Sequence, residues 1–239
     1  MERKTKNSIQ KGFIAALPVI LGYLPVAIAF GLLAKNTGLS FRDTGLFSIV
    51  VYAGAAQFMA LDLILAGVST GGIILATFLL NLRHLMMTAS LSIKLKDIDH
   101  KFLPFVAYGI TDETFSVLSF SQEKLDLPYV LTVNILSNGS WVAGSIIGYL
   151  VGEILPQSLQ SSLGIGLYAM FVALLFPNFK NSKSIILLSI LTAIIYTIIY
   201  STKIFTGGWD IIIGIILSSA LGVFFIKDDS EVEENWKVI

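Results

Sequence analysis

Five ionisable side chains stand inside or at the edge of long apolar stretches of this chain: Asp62, Arg83, His84, Asp112 and Glu113. A charge at the centre of a bilayer costs roughly 2.5–3.5 kcal/mol on insertion scales, so such residues mark functional sites by default. Gln57, Asn81, Asn134 and Asn138 add uncharged polar groups in similar surroundings. Arg83 offers a planar fork that suits a carboxylate, and Asp112 or Glu113 offers an acceptor that suits an ammonium. A zwitterion needs both. Arg83 could equally pair with one of the two acids as a buried ion pair, and both readings stand. His84 titrates near neutral pH and suits a proton relay, although a hydrogen-bonded core histidine accounts for it too. Asp62 lies near the end of its apolar stretch and reads as interfacial. With only 2 His in the chain and no ligand spacing, no metal site is expected.

Helical spacing gathers these groups into stripes. Thr77, Asn81, His84 and Thr88 share one face of a helix. Asp112, Ser116 and Ser119 form a second stripe, and Asn134, Asn138, Trp141 and Ser145 a third. Ser189, Thr192, Tyr196 and Tyr200 form a fourth. Together they suggest one shared polar interior, although lone Ser and Thr side chains usually bond their own backbone carbonyls.

The elements that must position these stripes are membrane spans. The chain is 55% hydrophobic and 13% charged, whereas an average soluble domain is about 25% charged. A helix needs about 20 apolar residues to cross the hydrocarbon core. Eight candidates follow: Gly12–Ala34, Leu46–Ala66, Gly72–Ile93, Phe102–Phe120, Pro128–Val151, Leu163–Phe176, Ile185–Tyr200 and Trp209–Ile226. The first resembles a signal peptide but is too long for one, and it reads as a retained span. Pro18, Gly22 and Pro25 make a broken, re-entrant first segment a physical alternative, and that alternative improves the bias of basic residues toward the N-terminal side. The expectation is an all-α polytopic membrane protein of seven to eight transmembrane segments, residues 1–239 forming a single membrane domain. Gly31–Ala56 slides onto Gly148–Ala173 with several matches in kind, which suggests half-repeats over residues 12–120 and 128–226. Gly214, Ser218 and Gly222, spaced by four, suit close helix packing, either within the chain or against a second subunit.

Several function classes are excluded or weakened. Net charge is zero and Cys is absent, so nucleic-acid binding, disulfides, Fe–S clusters and thiol nucleophiles are not expected. No Gly-rich phosphate loop is present, and no catalytic signature marks an intramembrane hydrolase.

Three segments carry a resemblance: Tyr52-Ala53-Gly54-Ala55-Ala56-Gln57-Phe58, Asn81-Leu82-Arg83-His84, and Gly109-Ile110-Thr111-Asp112-Glu113-Thr114-Phe115. With the early Gly12, Pro18, Pro25 and Gly31, they resemble the AzlC family of branched-chain amino acid exporters. The resemblance implies a multi-pass protein of the bacterial plasma membrane that exports leucine, isoleucine, valine and analogues, driven by an ion gradient. It also implies a small AzlD-type membrane subunit as partner and no cofactor. The implied substrate-binding positions are Gly54, Gln57, Asn81, Arg83, Asp112 and Glu113, with Asn134 and Asn138 added from the polar stripe. Proton coupling is expected of His84, Asp112 and Glu113. An intramembrane enzyme and a permease subunit of an ATP-driven amino acid transporter are the alternatives. The four charged groups, Arg83, His84, Asp112 and Glu113, are expected together near the bilayer midplane.

Overall fold

The computed structural model describes residues 2–152, 179, 183–203, 213–214, 216–218 and 220–222. Every regular element among them is a helix. Residue contacts divide the chain into two units, one of Met1–Ile64 with Thr77–Ala169 and one of Leu65–Ala76 with Met170–Ile239.

The first unit is built on two long helices, α1 (Glu2–Asn36) and α7 (Leu127–Val151). Lipid gives apolar helices no reason to associate by hydrophobicity, so close backbone approach between small residues does the work. Gly12 lies against Tyr129 and Thr132, Ala27 against Gly144, and Leu32 against Gly152. Residue numbers rise together, so the two helices run parallel. A β-carbon on Gly31 would strike the carbonyl of Ser145, and one on Gly148 would strike the carbonyl of Ile28. The α1 helix is continuous through Pro18 and Pro25, so the first segment is a full span and not the broken, re-entrant alternative. Both prolines face outward, while Ala16, Tyr23, Ala27 and Phe30 face the packed side. Packing along that side holds the helix straight enough to absorb the missing backbone donors.

The breaks fall instead in the second and fourth candidate spans. The chain over 41–65 forms two short helices, α2 (Phe41–Val50) and α3 (Gly54–Leu65). The rings of Phe47 on α2 and Phe58 on α3 both pack edge-on against Phe30, at 5.9 and 5.6 Å. Two residues on either side of the break at one level of α1 mean that α3 turns back toward the end from which α2 came. The pair is a helical hairpin, and its open end is where Tyr149 of α7 bonds the Leu39 carbonyl at 3.1 Å. Its tip is Val51-Tyr52-Ala53, where Tyr52 takes φ +42°, a left-handed conformation unusual for a bulky residue.

A second hairpin approaches from the other end. A 3-10 turn (His100–Phe102) leads into α5 (Leu103–Tyr108), and α6 (Asp112–Phe120) returns. Its base is closed by Lys124–Asp97 at 2.9 Å and by Lys94 donating to the Ser119 carbonyl. The Lys124 ammonium, by hydrogen bond and charge, holds the Asp97 carboxyl below the usual carboxylate range. The same base meets the start of α1, through Ser8–Asp126 at 2.6 Å and Lys11–Glu123 at 2.7 Å. The α4 helix (Thr70–Ser92) runs into this base. The arms, of nine to twelve residues with the 3-10 turn counted into α5, reach about 14–18 Å at 1.5 Å per residue, about half of a hydrocarbon core about 30 Å thick. Thus α1, α4 and α7 are the described helices long and apolar enough to cross a membrane, and the two hairpins enter from opposite faces and meet.

Unwound backbone at that depth must find its own hydrogen-bond partners. The second tip does so with a capping box: Thr114 Oγ1 accepts from the Thr111 amide at 2.8 Å and donates to the Gly109 carbonyl at 2.8 Å, while Thr111 Oγ1 accepts from the Thr114 amide. Asn134 of α7 donates to the Val106 carbonyl at 3.0 Å. A β-carbon on Gly109 would collide with that Asn134 side chain. At the first tip the Ile49 carbonyl accepts from the Tyr108 hydroxyl, which itself accepts from Asn138 at 3.1 Å.

The second unit, by itself, includes α8 (Lys183–Thr202). Gly214 packs against Tyr196 and Gly222 against Leu188, and Ser218 is buried. The small-residue stripe is therefore covered by α8 and is not an exposed docking face. Thr192 donates to the Leu188 carbonyl one turn back, a local role for the fourth stripe. The candidate span Leu163–Phe176 lies outside the described residues, as does most of Trp209–Ile226.

The hairpins change the charge count at each face. Arg3, Lys4, Lys6, Lys11, Lys94, Lys96, Lys101 and Lys124 lie at the end where α1 begins, against Lys35 and Arg42 at the other end of the first unit. Basic loops stay in the cytoplasm, so the base of the second hairpin faces inward. The chain has no Cys, so single cysteines report on topology directly. Lys96→Cys should resist a membrane-impermeant maleimide in intact cells and Asn36→Cys should react; the reverse pattern would invert the topology. Thr114→Val, which keeps shape but removes the bonds to both Thr111 and Gly109, should lower stability in detergent by about 1–3 kcal/mol. An unchanged denaturation midpoint would show that the cap is not what holds the second tip.

Candidate functional site

The two tips carry two of the three motifs, and the third faces them from α4. Gly54 and Gln57 begin α3. Gly54 leaves room for the Trp141 ring, since a β-carbon there would come within 2.8 Å of it, and Gln57 Oε1 accepts from Trp141 Nε1 at 3.0 Å. Gln57 is fully buried and its Nε2 has no partner. Gly109, Thr111, Asp112 and Glu113 form the second tip and the first turn of α6. Arg83 Nη1 of α4 lies 2.9 Å from Asp112 Oδ2, with each side chain about one-third exposed (34% and 32%). The Arg83 Nε is buried and unpaired. Arg83 and Asp112 are thus brought together, and both remain open enough to be approached.

Glu113 goes elsewhere. It accepts from the Tyr23 hydroxyl of α1 at 2.7 Å, and that hydroxyl also lies 2.5 Å from Thr111 Oγ1. Tyr23 packs edge-on against Tyr52 of the first tip at 6.4 Å and against Trp141 at 5.4 Å. Tyr52 and Tyr108 rings lie 5.9 Å apart. Three tyrosines and a tryptophan therefore fill the place where the tips meet. His84 shares a groove of about 370 Å³ between α4 and α5 with Asn81, Thr88, Phe78 and Leu85. The charges of Arg83 and Asp112 both act on it. Asn81 Oδ1 is buried without a partner, and Thr88 donates to the His84 carbonyl.

The remaining expectations divide. Asn134 and Asn138 are structural ties to α5, although Asn134 Oδ1 remains buried and unpaired beside an apolar groove of about 430 Å³. Asp62 is exposed on α3, away from the tips. Reasoning from charge missed Tyr23, Tyr52 and Tyr108, because tyrosine in an apolar stretch reads as packing. A signal existed for α7: Ser140, Gly144, Gly148 and Gly152 recur every four residues, which is the pattern of a close helix contact.

With that geometry in hand, known proteins place the chain. The family model described as AzlC protein matches residues 18–155, a stretch holding both hairpins and Arg83. An uncharacterized membrane protein of Archaeoglobus fulgidus is 34% identical over 174 residues, 72% of this chain and 76% of that protein. The inner membrane protein YgaZ of Escherichia coli is 30% identical over 186 residues, 74% of this chain and 76% of YgaZ. The branched-chain amino acid transport protein AzlC of Bacillus subtilis is 24% identical over 179 residues, 74% of this chain and 70% of its own length. No solved structure matches. The chain is a multi-pass membrane protein and belongs to the AzlC family.

Proposed function

We propose that this chain is the large subunit of a secondary exporter of branched-chain amino acids. The observation that carries the reading is the Arg83–Asp112 pair at the tip of the second hairpin, 2.9 Å apart and one-third exposed. A zwitterion can exchange with such a pair: its carboxylate takes the guanidinium fork and its ammonium takes the released Asp112. The free Nε of Arg83 leaves one further donor for the carboxylate. The start of α3 at Gly54, which has no acid in its first turn, places the positive end of a helix beside the same junction. The groove beside His84 supplies apolar walls from Phe78, Leu82 and Leu85 for a branched side chain. Such walls separate side chains by only about 1–3 kcal/mol per methylene, so leucine, isoleucine and valine should share the site. The name of the Bacillus relative agrees with this substrate class.

Drive by a proton gradient assigns the proton to Glu113, Asp112 or His84, with Glu113 the acid not already paired to arginine. A small AzlD-type subunit completes the transporter. The reading also treats residues 12–120 and 128–226 as half-repeats. The contact of Gly31 with Ser145 and that of Gly148 with Ile28 are one contact made in both directions, as expected of equivalent helices α1 and α7.

In proteoliposomes holding the chain and its small partner, preloaded leucine should leave faster than from empty vesicles and faster still with an imposed pH gradient. Arg83→Lys keeps the charge but loses the two-pronged bond, and should cut the flux at least about tenfold, equivalent to about 1.4 kcal/mol, while the protein still folds. Flux equal to that of empty vesicles, or an Arg83→Lys protein as fast as wild type, would refute the reading.

A further inference from the structure

We infer that Tyr23 is a positioning residue: it holds the Glu113 carboxylate at the junction of the two hairpin tips, so that Glu113 gains and loses its proton against the one hydroxyl that spans that junction. The inference rests on the proposed function only for the flux that the proton of Glu113 drives. Tyr23 lies on α1, outside every motif of the sequence, and is 5% exposed. Its hydroxyl touches Glu113 at 2.7 Å and Thr111 at 2.5 Å. Its ring packs on Tyr52, the strained residue of the opposite tip, and on Trp141. One side chain thus touches both tips and the α1–α7 pair.

The groups around Glu113 are few. Tyr23 faces it from α1, and Tyr52, on which its charge also acts, faces it from the first tip. Thr111 and Asp112 precede it on its own element, and Asp112 is occupied by Arg83 of α4. No cation is paired to Glu113 among the described residues, so its ionised form leans on the Tyr23 hydroxyl and on the amide end of α6. An ionised Glu113 accepts from Tyr23, Tyr23 stays over Tyr52, and the tips are tied. A protonated Glu113 carries its own donor and no longer requires that of Tyr23. The bond to Glu113 is then weaker, because a neutral carboxyl accepts less strongly than a carboxylate, while the phenol keeps its bond to Thr111.

The test uses the purified chain with its small partner in lipid. The carboxyl stretching band absent from Glu113→Gln reports the protonation of Glu113 without any substrate, and leucine flux reports transport. Tyr23→Phe should displace the midpoint of that band by about one pH unit and move the pH midpoint of leucine flux with it. In the Glu113→Gln background Tyr23→Phe should change flux less than twofold. Should Tyr23→Phe fail to fold, Glu113→Asp, which draws the carboxylate back by one methylene, should displace the band in the same way. An unmoved band in the variant that folds overturns the inference whatever the flux. A displaced band with no leucine flux in the wild type upholds it and overturns the transport reading instead.

Discussion

Backbone in hydrocarbon must satisfy its own hydrogen bonds, and every unusual feature of this fold is a response to that constraint. Two helices stop halfway through the membrane. Each stop exposes carbonyls at one helix end and amides at the next start. The Tyr108 hydroxyl reaches the Ile49 carbonyl, the Asn134 amide reaches the Val106 carbonyl, and the Thr111–Thr114 box closes the start of α6. An unsatisfied group at that depth costs several kcal/mol. The side chains that tie the tips are therefore as demanding as the charges they surround.

The breaks also determine where charge is tolerated. Asp112 and Glu113 occupy the first turn of α6, at the positive end of its dipole. Arg83 approaches from a continuous helix and neutralises one of them. A charge pair at mid-depth is costly to desolvate, but here it lies beside polar, partly open tips. Each side chain of the pair stays about one-third exposed, which is what the proposed exchange with a zwitterion requires. The α3 start has no acid in its first turn, so the two tips differ in charge: one presents carboxylates, the other the uncharged Gln57.

Much of this was legible in the residues. The helical membrane class followed from composition, and the approach of Arg83 to Asp112 followed from two polar stripes joined by a short loop. The first segment left two readings open, because two prolines allow a break and nothing local shows that α7 splints α1 through Gly144, Gly148 and Gly152. The hairpins were missed for a related reason: 18 to 25 apolar residues have the same composition whether they cross or turn back. The direction of return is fixed by distant partners, Phe30 for the first hairpin and the Lys124–Asp97 pair for the second. Tyr23 was illegible because its role lies in a hydroxyl whose partners are 88 and 90 residues away.

The most direct test concerns whether α5 and α6 turn back within the membrane. Spin labels on cysteines at Lys96 and Gln122, in an otherwise cysteine-free chain, measure it by pulsed electron resonance in lipid. The Lys124–Asp97 closure requires both labels at one face, with a separation under about 20 Å once the label arms are included. A separation of about 30 Å or more, the thickness of the hydrocarbon core, would mean that this segment crosses the membrane, and it would contradict the hairpin and the site built on its tip.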